Sequence, residues 1–406
     1  MTGRDRKMNQ IIERYIRKIL EIGCNIQNND NLIVYSQSDI SDFEEILLKI
    51  KDEYKINQVI FIRNNYEKIY NFLKNNPSEE DIQKFIIKYP MIQEKDKVKI
   101  ISVMDDDHSG YYYKLCYEIY NLYEKYCQYD SKTNKELYDL FDNCVTTVII
   151  CPTNSWAKSL FGSDNQKDKL WNLVDKCMPK TQQLKEEIKR LKEIKNYLNK
   201  VSISQLYFYT NIGTDFRIGL SKYSKWVSEP EIKNGIEYFF NFPSYEIFTS
   251  PDYNSAEGKV VITKPSCLYG KQIKSAELQF LKGKCISCES DNKNWDGTVL
   301  NHKNDLYRIG EIALVSKDTP LAKMNRTFNS LLLDENTGCH LALGHALLEC
   351  VNMPEDILLQ KGLKHYNFNA SAYHQDLVFG DDSITVEAKT KDKRKILLME
   401  NGIWKI

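Results

Sequence analysis

The chain has 406 residues, 42% of them hydrophobic and 28% charged, which is ordinary for a globular protein and long enough for two to three domains. Its 56 basic and 56 acidic residues give zero formal net charge, so the composition predicts neither nucleic acid nor an anionic membrane as a partner. The charged N-terminus, the lack of a long apolar run and eleven scattered cysteines predict a cytoplasmic protein with free thiols, without a signal peptide or membrane span.

The N-terminal half alternates between helix and strand patterns. Residues 8–22 carry apolar side chains on one helical face. Strands are predicted at the apolar runs 31–36, 58–63, 98–104 and 146–151, with helical segments between them. This alternation predicts an α/β N-terminal domain with an open, mostly parallel sheet over residues 1–200. The acidic residues Asp105–Asp107 follow the third strand and are interpreted as a solvated turn.

The second half, residues 201–406, follows a different pattern, because short strand-like runs succeed one another with few helices between them. These runs are 203–210, 216–221, 259–264, 277–282, 307–315, 384–389 and 395–400. One helix is predicted near residues 339–350. The pattern predicts a β-rich α+β domain with mixed or antiparallel pairing.

The stretch from Asp334 to Leu347, with the sequence DENTGCHLALGHAL, concentrates groups that bind metals or carry protons. Four of the six histidines of the chain lie between positions 340 and 374. After the first glycine of this stretch, apolar residues recur at helical spacing, which predicts that His340 lies on the first turn of a helix. Asp334, Glu335 and Asn336 precede that turn and are predicted to cap its free N–H groups. The alternative is that these residues form only a cap and that His340 is only packed or solvated.

Acids and an imidazole from other segments are candidates to join His340 in a metal site. Glu246 lies between turn residues in FPSYEIFTSPD, and Glu311 interrupts the apolar strand RIGEIALV, where an unpaired acid is costly to bury. His374 and Asp376 are two residues apart on a predicted strand, so their side chains point to the same face. Such nitrogen and oxygen ligands suit Zn²⁺, Co²⁺ or Mn²⁺, and the excess of carboxylates favours two ions. Taken singly, each residue could instead be structural, for example as an edge-strand charge or a satisfied core histidine.

Five segments resemble, in order and spacing, the thermophilic metallo-aminopeptidase family, the group of aminopeptidase T and aminopeptidase S. They are PSYEIFTSPD, RIGEIALV, LLLDENTGCHLALG, NASAYHQDLVFG and the terminal NGIW. Weaker similarity in NSWAKSLF and IGTDFRIGL extends the resemblance over nearly the whole chain. The resemblance implies an N-terminal α/β domain with a C-terminal catalytic domain, homodimers around an enclosed active-site cavity, and removal of N-terminal residues from short peptides.

The resemblance also implies a set of site residues. The metal-binding positions of the family fall on Glu246, Glu311, His340, His374 and Asp376. These residues are expected to hold two divalent ions, chosen from Zn, Co, Mn and Mg, which activate a water molecule for attack on the first peptide bond. Glu311 is the candidate catalytic residue, either as the general base or as a ligand shared between the ions.

One position departs from the family pattern. The family has a tyrosine seven residues after the first metal-binding histidine, and this chain has Leu347, which can neither bind a metal nor donate a hydrogen bond. His345 and Tyr373 are candidates to compensate for the missing hydroxyl. The departure supports an alternative function, that of a divergent or inactive relative that binds peptides or processes a specialised amide substrate. A cysteine hydrolase that uses Cys339 with a neighbouring histidine is a third, weaker hypothesis.

Overall fold

The computed structural model describes residues 3–90, 92, 94–104, 106, 108–268, 271–301 and 305–406, so the predicted turn residues Asp105 and Asp107 lie outside the described part. The chain divides into two compact units. The first comprises Met1–Thr181 and Pro230–Pro243, and the second comprises Gln182–Glu229 and Ser244–Ile406. A domain boundary near residue 200 stays a prediction, because compactness alone does not show that either part folds by itself.

Helices and strands are numbered here in chain order. The helices are α1 (Gly3–Lys18), α2 (Ser41–Ile50), α3 (Tyr66–Leu73), α4 (Glu79–Phe85), α5 (Tyr111–Tyr117), α6 (Tyr120–Thr133), α7 (Lys135–Asn143), α8 (Asn154–Phe161), α9 (Lys167–Cys177), α10 (Thr181–Lys200), α11 (Lys293–Val299), α12 (Leu331–Glu335) and α13 (Glu355–Lys361). The strands are β1 (Asn31–Ser36), β2 (Gln58–Arg63), β3 (Val98–Met104), β4 (Val145–Ile150), β5 (Ile203–Tyr209), β6 (Asp215–Gly219), β7 (Val227–Ser228), β8 (Glu231–Lys233), β9 (Ile236–Tyr238), β10 (Asn241–Phe242), β11 (Glu246–Thr249), β12 (Glu257–Ile262), β13 (Ser266–Leu268), β14 (Lys271–Ile273), β15 (Ala276–Leu281), β16 (Lys284–Ser290), β17 (Ile309–Val315), β18 (His340–Gly344), β19 (His374–Val378), β20 (Thr385–Thr390), β21 (Lys395–Glu400) and β22 (Ile403–Trp404).

In the described part of the first unit, a parallel sheet has the strand order β10-β4-β3-β1-β2. β1, β3 and β4 are buried along nearly their whole length, as expected for parallel strands with helices on both faces. Ile33, Ile60 and Ile100 pack on one side of this sheet against Leu137 and Leu140 of α7. The predicted α/β region with a parallel sheet is therefore confirmed.

Antiparallel sheets dominate the described part of the second unit. One sheet has the strand order β16-β15-β12-β6-β5-β20-β21-β22, and another has the order β19-β18-β17-β11-β7. Apolar side chains of both sheets share one buried core, which includes Phe208, Phe216, Leu278, Ile312 and Leu341. The predicted β-rich region with antiparallel pairing is therefore confirmed, and each sheet turns one apolar face to the core.

The prediction of a helix near residues 339–350 is wrong. His340–Gly344 form β18 between β17 and β19, and only a short 3-10 turn follows at Leu348–Cys350. The run CHLALG fits both a helical face and a strand, and pairing with two neighbouring strands decides between the two periods. Gly344 has a φ of 102°, and a Cβ atom there would lie 2.0 Å from the carbonyl oxygen of Tyr373. This position therefore excludes a helix and requires glycine.

Two observations bear on the predicted environment of the chain. Within the described ranges, no helix has the length and apolar character that crossing a bilayer requires. The ten cysteines whose side chains are described are all free thiols, as predicted, and most of them are buried.

Candidate metal centre

The register of one sheet brings the candidate residues together. β18 lies between β17 and β19, and Ala342 pairs with Glu311 on one side and with Asp376 on the other. His340 pairs with Ala313, which is two residues from Glu311 on β17. Because side chains alternate along a strand, Glu311, His340 and Asp376 all point to the same face of the sheet.

The other two candidates follow the same rule. Glu246 pairs with Val315 of β17, and His374 pairs with Gly344 of β18, so even spacings place both on the face that carries Glu311. The opposite face is apolar and joins the core through Ile247, Ile312, Leu314, Leu341, Leu343 and Leu377. Burial of that face fixes the register, because a slip of one residue would turn the polar residues into the core.

The five side chains form two groups that share one carboxylate. His340 Nε2 lies 3.1 Å from Glu246 Oε2, and His374 Nε2 lies 3.1 Å from Glu311 Oε2 and 3.3 Å from Asp376 Oδ1. Ligand atoms of Glu246, Glu311 and His340 lie within 4.8 Å of one another, as do those of Glu311, His374 and Asp376. The structure thus brings all five predicted residues together, with Glu311 at the centre.

Small residues and a β-bulge shape the floor of this site. Ala313 and Ala342 lie on the polar face between the ligand candidates, where a larger side chain would fill the space. The register of β17 shifts between Ile309 and Glu311, and a Cβ atom at Gly310 would lie 2.2 Å from a backbone oxygen. The bulge therefore requires glycine, and it sets Glu311 opposite Ala342.

A backbone carbonyl orients each imidazole. His340 Nδ1 lies 3.3 Å from the carbonyl oxygen of Gly338, and His374 Nδ1 lies 2.9 Å from that of His345. When Nδ1 donates its hydrogen to the carbonyl, Nε2 of each ring faces the carboxylates with its lone pair. This is the arrangement that fixes the tautomer of metal-binding histidines.

The carboxylates and imidazoles change one another's protonation. Burial raises the pKa of Glu311 to about 7. Burial alone would lower the pKa of His340, but its hydrogen bond to Glu246 and the nearby carboxylates outweigh burial and raise it to about 9. Burial also opposes the positive charge of His374. Asp376 and Glu311 outweigh burial and raise the pKa of His374 to about 12. Without metal, both imidazoles therefore hold protons beside the carboxylates at neutral pH.

The donor set fits divalent ions. Within the part of the chain that the structure describes, no lysine or arginine lies within 4.0 Å of the carboxylates of Glu246, Glu311 and Asp376. Buried carboxylates are costly unless a cation accompanies them. Carboxylate oxygens mixed with imidazole nitrogens suit Zn²⁺, Co²⁺ or Mn²⁺, whereas Mg²⁺ prefers oxygen ligands alone.

Glu335 faces the same site, although the sequence suggested for it only the role of a helix cap. It ends α12, is 8% exposed, and interacts electrostatically with Glu246, Asp376 and Glu311. Burial, reinforced by these three negative charges, raises the pKa of Glu335 well above its usual range. An acid at the end of the apolar run LLLDE was the signal that could have identified it.

The residues predicted to cap a helix at His340 have other partners. The Asp334 carboxylate accepts hydrogen bonds from the backbone N–H groups of Phe328 and Ser330, at 2.8 and 3.1 Å. Asn336 Oδ1 accepts a hydrogen bond of 2.6 Å from the backbone N–H of Tyr245, the residue before Glu246. The Asn336 bond ties the end of α12 to the start of the strand that carries Glu246, whereas the Asp334 bonds stay within the segment around α12.

Leu347 lies beside the polar face of the sheet. Its half-buried side chain packs against a small apolar cluster of Val227, Phe248, Ala313 and Cys350. Since Ala313 lies on the same face as the ligand candidates, an apolar side chain packs at the edge of the site, at the position where the resemblance predicts a tyrosine.

His345 and Tyr373 are the candidates to replace the missing tyrosine hydroxyl, and Cys339 is the candidate nucleophile. Each lies in a different environment. His345 Nδ1 lies 2.6 Å from the carbonyl oxygen of Ser371, and His345 belongs to neither group of candidate ligand atoms. Tyr373 is 39% exposed beside His374. Cys339 belongs to the buried core on the opposite face, and burial raises its pKa to about 12, which leaves its thiol unsuited to nucleophilic attack.

Comparisons with known proteins point to one family. The family model described as thermophilic metalloprotease (M29) matches residues 8–404. Aminopeptidase PepS from Streptococcus thermophilus is 32% identical over 272 residues, which cover 64% of this chain and 65% of that relative. Aminopeptidase AmpS from Bacillus subtilis (strain 168) is 23% identical over an alignment of 436 residues that covers 97% of this chain and 98% of that relative. The solved structure of wild-type AmpT from Thermus thermophilus has the same fold, with a TM-score of 0.82, 20% identity, and coverage of 99% of this chain and all of that one (100%).

We predict that the metal-free protein loses stability as pH rises from 6.5 to about 9. The folded state raises the pKa of His340, so its contribution to the free energy of unfolding is complete below pH 6.5 and disappears as pH rises through about 9. Urea denaturation in EDTA at both pH values should show a fall that is about 1–3 kcal/mol larger for the wild type than for His340→Gln. His365→Gln, at an exposed position, is the matched control and should behave as wild type. An equal fall in the wild type and His340→Gln would contradict the prediction.

Proposed function

Because the chain belongs to the thermophilic metalloprotease (M29) family, whose model matches residues 8–404, we propose that it is a metal-dependent aminopeptidase. The family that the sequence motifs predicted is thus confirmed, and with it the class of metallopeptidase. The proposed substrates are short peptides, from which the enzyme removes N-terminal residues with two divalent ions. The homodimer, the cytoplasmic location and the identity of the ions stay predictions.

The observation that carries this proposal is the position of Glu311 in both groups of candidate ligand atoms. One ion would be held by Glu246, Glu311 and His340, and a second by Glu311, His374 and Asp376. We therefore assign Glu311 the role of shared ligand rather than that of general base. Two ions held in this way would polarise the carbonyl group of the first peptide bond and lower the pKa of a water molecule.

The two groups differ in their access to solvent, which suggests how a peptide approaches. Glu246 and His340 are almost completely buried, whereas the side chain of His374 is 29% exposed. The peptide would therefore enter from the side of His374. The remaining negative charge of Asp376 and its neighbours would attract the free α-amine of the substrate, which restricts cleavage to N-termini.

Glu335 is our candidate for the group that moves the proton. It is a buried acid near the three carboxylates, but its carboxylate belongs to neither group of candidate ligand atoms. Burial raises the pKa of Glu335, which makes this carboxylate a stronger base than an exposed one for taking a proton from water and passing it to the leaving amine. In this proposal Glu311 binds the ions and Glu335 transfers the proton.

A second candidate function follows from Leu347. If the hydroxyl of the family tyrosine stabilises the transition state, its absence would remove one donor, a loss of roughly 2.7–4 kcal/mol for a typical oxyanion donor. The apolar contacts of Leu347 favour a relative that binds peptides or processes a specialised amide, with ordinary peptides as poor substrates. The ion-binding residues are the same in both proposals, so metal content alone does not separate them.

Glu311→Gln is expected to lose metal and turnover together. The substitution keeps the shape of the side chain but removes the shared carboxylate, so metal analysis should fall from about two ions per chain to less than one. Hydrolysis of leucine p-nitroanilide with added Co²⁺ or Zn²⁺ should fall to background. Glu349→Gln, an exposed acid of the same segment as Leu347, is the control and should retain both properties. Unchanged hydrolysis by Glu311→Gln would refute the assignment.

Glu335→Gln is expected to keep both ions and to lose the chemical step. A general base contributes about 10²–10⁴-fold to the rate, so kcat should fall by that factor while metal content stays at the wild-type value. The acid limb of the kcat profile against pH should also disappear, because the group that titrates there is gone. Loss of one ion from Glu335→Gln would instead make this residue a ligand.

Leu347→Tyr separates the two candidate functions. With both ions bound, a restored hydroxyl should raise kcat on leucine p-nitroanilide by about tenfold or more, as expected for one added donor. Leu348→Tyr places the same side chain at the adjacent exposed position and should have no effect. A wild type that holds two ions but cleaves no aminoacyl substrate, and that Leu347→Tyr does not activate, would favour the specialised relative.

A further inference from the structure

His345 makes three hydrogen bonds to the short segment Ser371–His374, which ends in a ligand candidate. Its Nδ1 lies 2.6 Å from the carbonyl oxygen of Ser371, and its backbone N–H donates a hydrogen bond of 2.5 Å to the carbonyl oxygen of Tyr373. Its own carbonyl oxygen lies 2.9 Å from Nδ1 of His374. A carbonyl oxygen only accepts hydrogen bonds, so Nδ1 of both imidazoles carries the hydrogen. The side chain and both backbone groups of His345 therefore hold this segment.

The peptide group that follows His345 sets the orientation of the His374 ring. Its carbonyl oxygen accepts the hydrogen bond from Nδ1 of His374, and its N–H, which belongs to Ala346, donates a hydrogen bond of 2.9 Å to the carbonyl oxygen of Asn369. Bonds at both ends of this peptide group oppose its rotation. The imidazole of His345 adds a bond to Ser371, which lies between Asn369 and His374 in the chain. These bonds together direct Nε2 of His374 toward the carboxylates.

The two expected ions differ in how strand pairing holds their ligands. The ion beside His340 is called the inner ion here, and the ion beside His374 is called the outer ion. His340 lies on β18, which is paired on both sides, whereas His374 is the first residue of β19, the edge strand of this sheet in the described chain. The position of His374 therefore depends more on the segment before it, which His345 holds.

The same hydrogen bonds exclude one role for His345. Its Nδ1 donates its hydrogen to Ser371, and in the neutral tautomer the other ring nitrogen, Nε2, is an acceptor. A neutral His345 therefore has no further N–H with which to replace the hydroxyl of the family tyrosine.

We propose that His345 is a positioning residue for His374. Its imidazole holds Ser371, and with it the segment before β19, so that Nε2 of His374 reaches the outer ion. This inference rests on the proposed two-ion centre and specifies which ion depends on His345. The inner ion should not depend on it, because its ligands lie on β11, β17 and β18, which are paired on both sides.

The test is calorimetric titration of the metal-free full chain with Zn²⁺ against a competing chelator, with wild type, His345→Leu and His345→Asn compared. Leucine removes the donor, whereas asparagine places an N–H at the position of Nδ1. His345→Leu should weaken binding of the outer ion by about 10–100-fold, as for other groups that orient a metal ligand, and change the inner ion by less than about twofold. His345→Asn should bind both ions nearly as the wild type does. His365→Leu, at an exposed position, is the matched control and should behave as wild type.

His374→Ala identifies the affected ion and separates positioning from general destabilisation. This variant should lack the outer ion, and adding His345→Leu to it should leave Zn²⁺ binding unchanged, because the ring that His345 positions is gone. Equal weakening of both ions by His345→Leu, no loss of the outer ion, or no rescue by His345→Asn would overturn the inference alone. A wild type that binds fewer than two ions would overturn the proposed two-ion centre and the inference with it.

Discussion

The candidate metal centre depends on one electrostatic constraint, the need of the buried Glu311 carboxylate for positive charge. Glu311 is 4% exposed and lies between two imidazole–carboxylate pairs, where no lysine or arginine of the described chain approaches the carboxylates directly. Such a group is neutralised by protons or by metal ions. The raised pKa values of His340 and His374 indicate neutralisation by protons, since both imidazoles hold protons at neutral pH without metal. Bound ions would replace those protons, so metal binding and proton release are coupled.

The apolar face of the same sheet makes this arrangement possible. Unfavourable contacts among carboxylates persist only when the surrounding structure holds them in place, and here Leu341 and Leu343 are fixed in the core while His340 is held on the other face. Pairing on both sides of β18 leaves little freedom to relieve the repulsion by moving a strand. Glycines at the bulge and at the end of β18 allow backbones to approach where a Cβ atom would collide. Hydrophobic burial therefore stabilises a polar constellation that is unfavourable by itself.

Glu311 interrupts the apolar strand RIGEIALV. A charged residue in such a strand is a useful signal for a ligand, because an ion or a polar molecule is the simplest way to compensate it.

The sequence by itself determined the two kinds of layer and the five candidate ligands. Strand and helix alternation predicted the parallel α/β region, and the motifs around Glu246, Glu311, His340, His374 and Asp376 predicted residues that do meet in the structure. Local chemistry marked these residues as candidates, because a carboxylate inside an apolar strand and a histidine two residues from an aspartate are visible along the chain. The resemblance to the aminopeptidase family was needed to choose a metal site over a structural role for each of them. The family follows from the same motifs, and its model covers nearly the whole chain.

Only the tertiary structure decided which secondary structure carries His340, and which residues share the site with it. CHLALG satisfies two periodicities, and long-range pairing with β17 and β19 selects the strand. Glu335 was not predicted to face the site, because its burial and its distance to other charges depend on residues far apart in sequence. The central position of Glu311 likewise comes from the register of the strands. Strand pairing, and not the sequence of any one segment, decides which carboxylate lies between the two imidazoles.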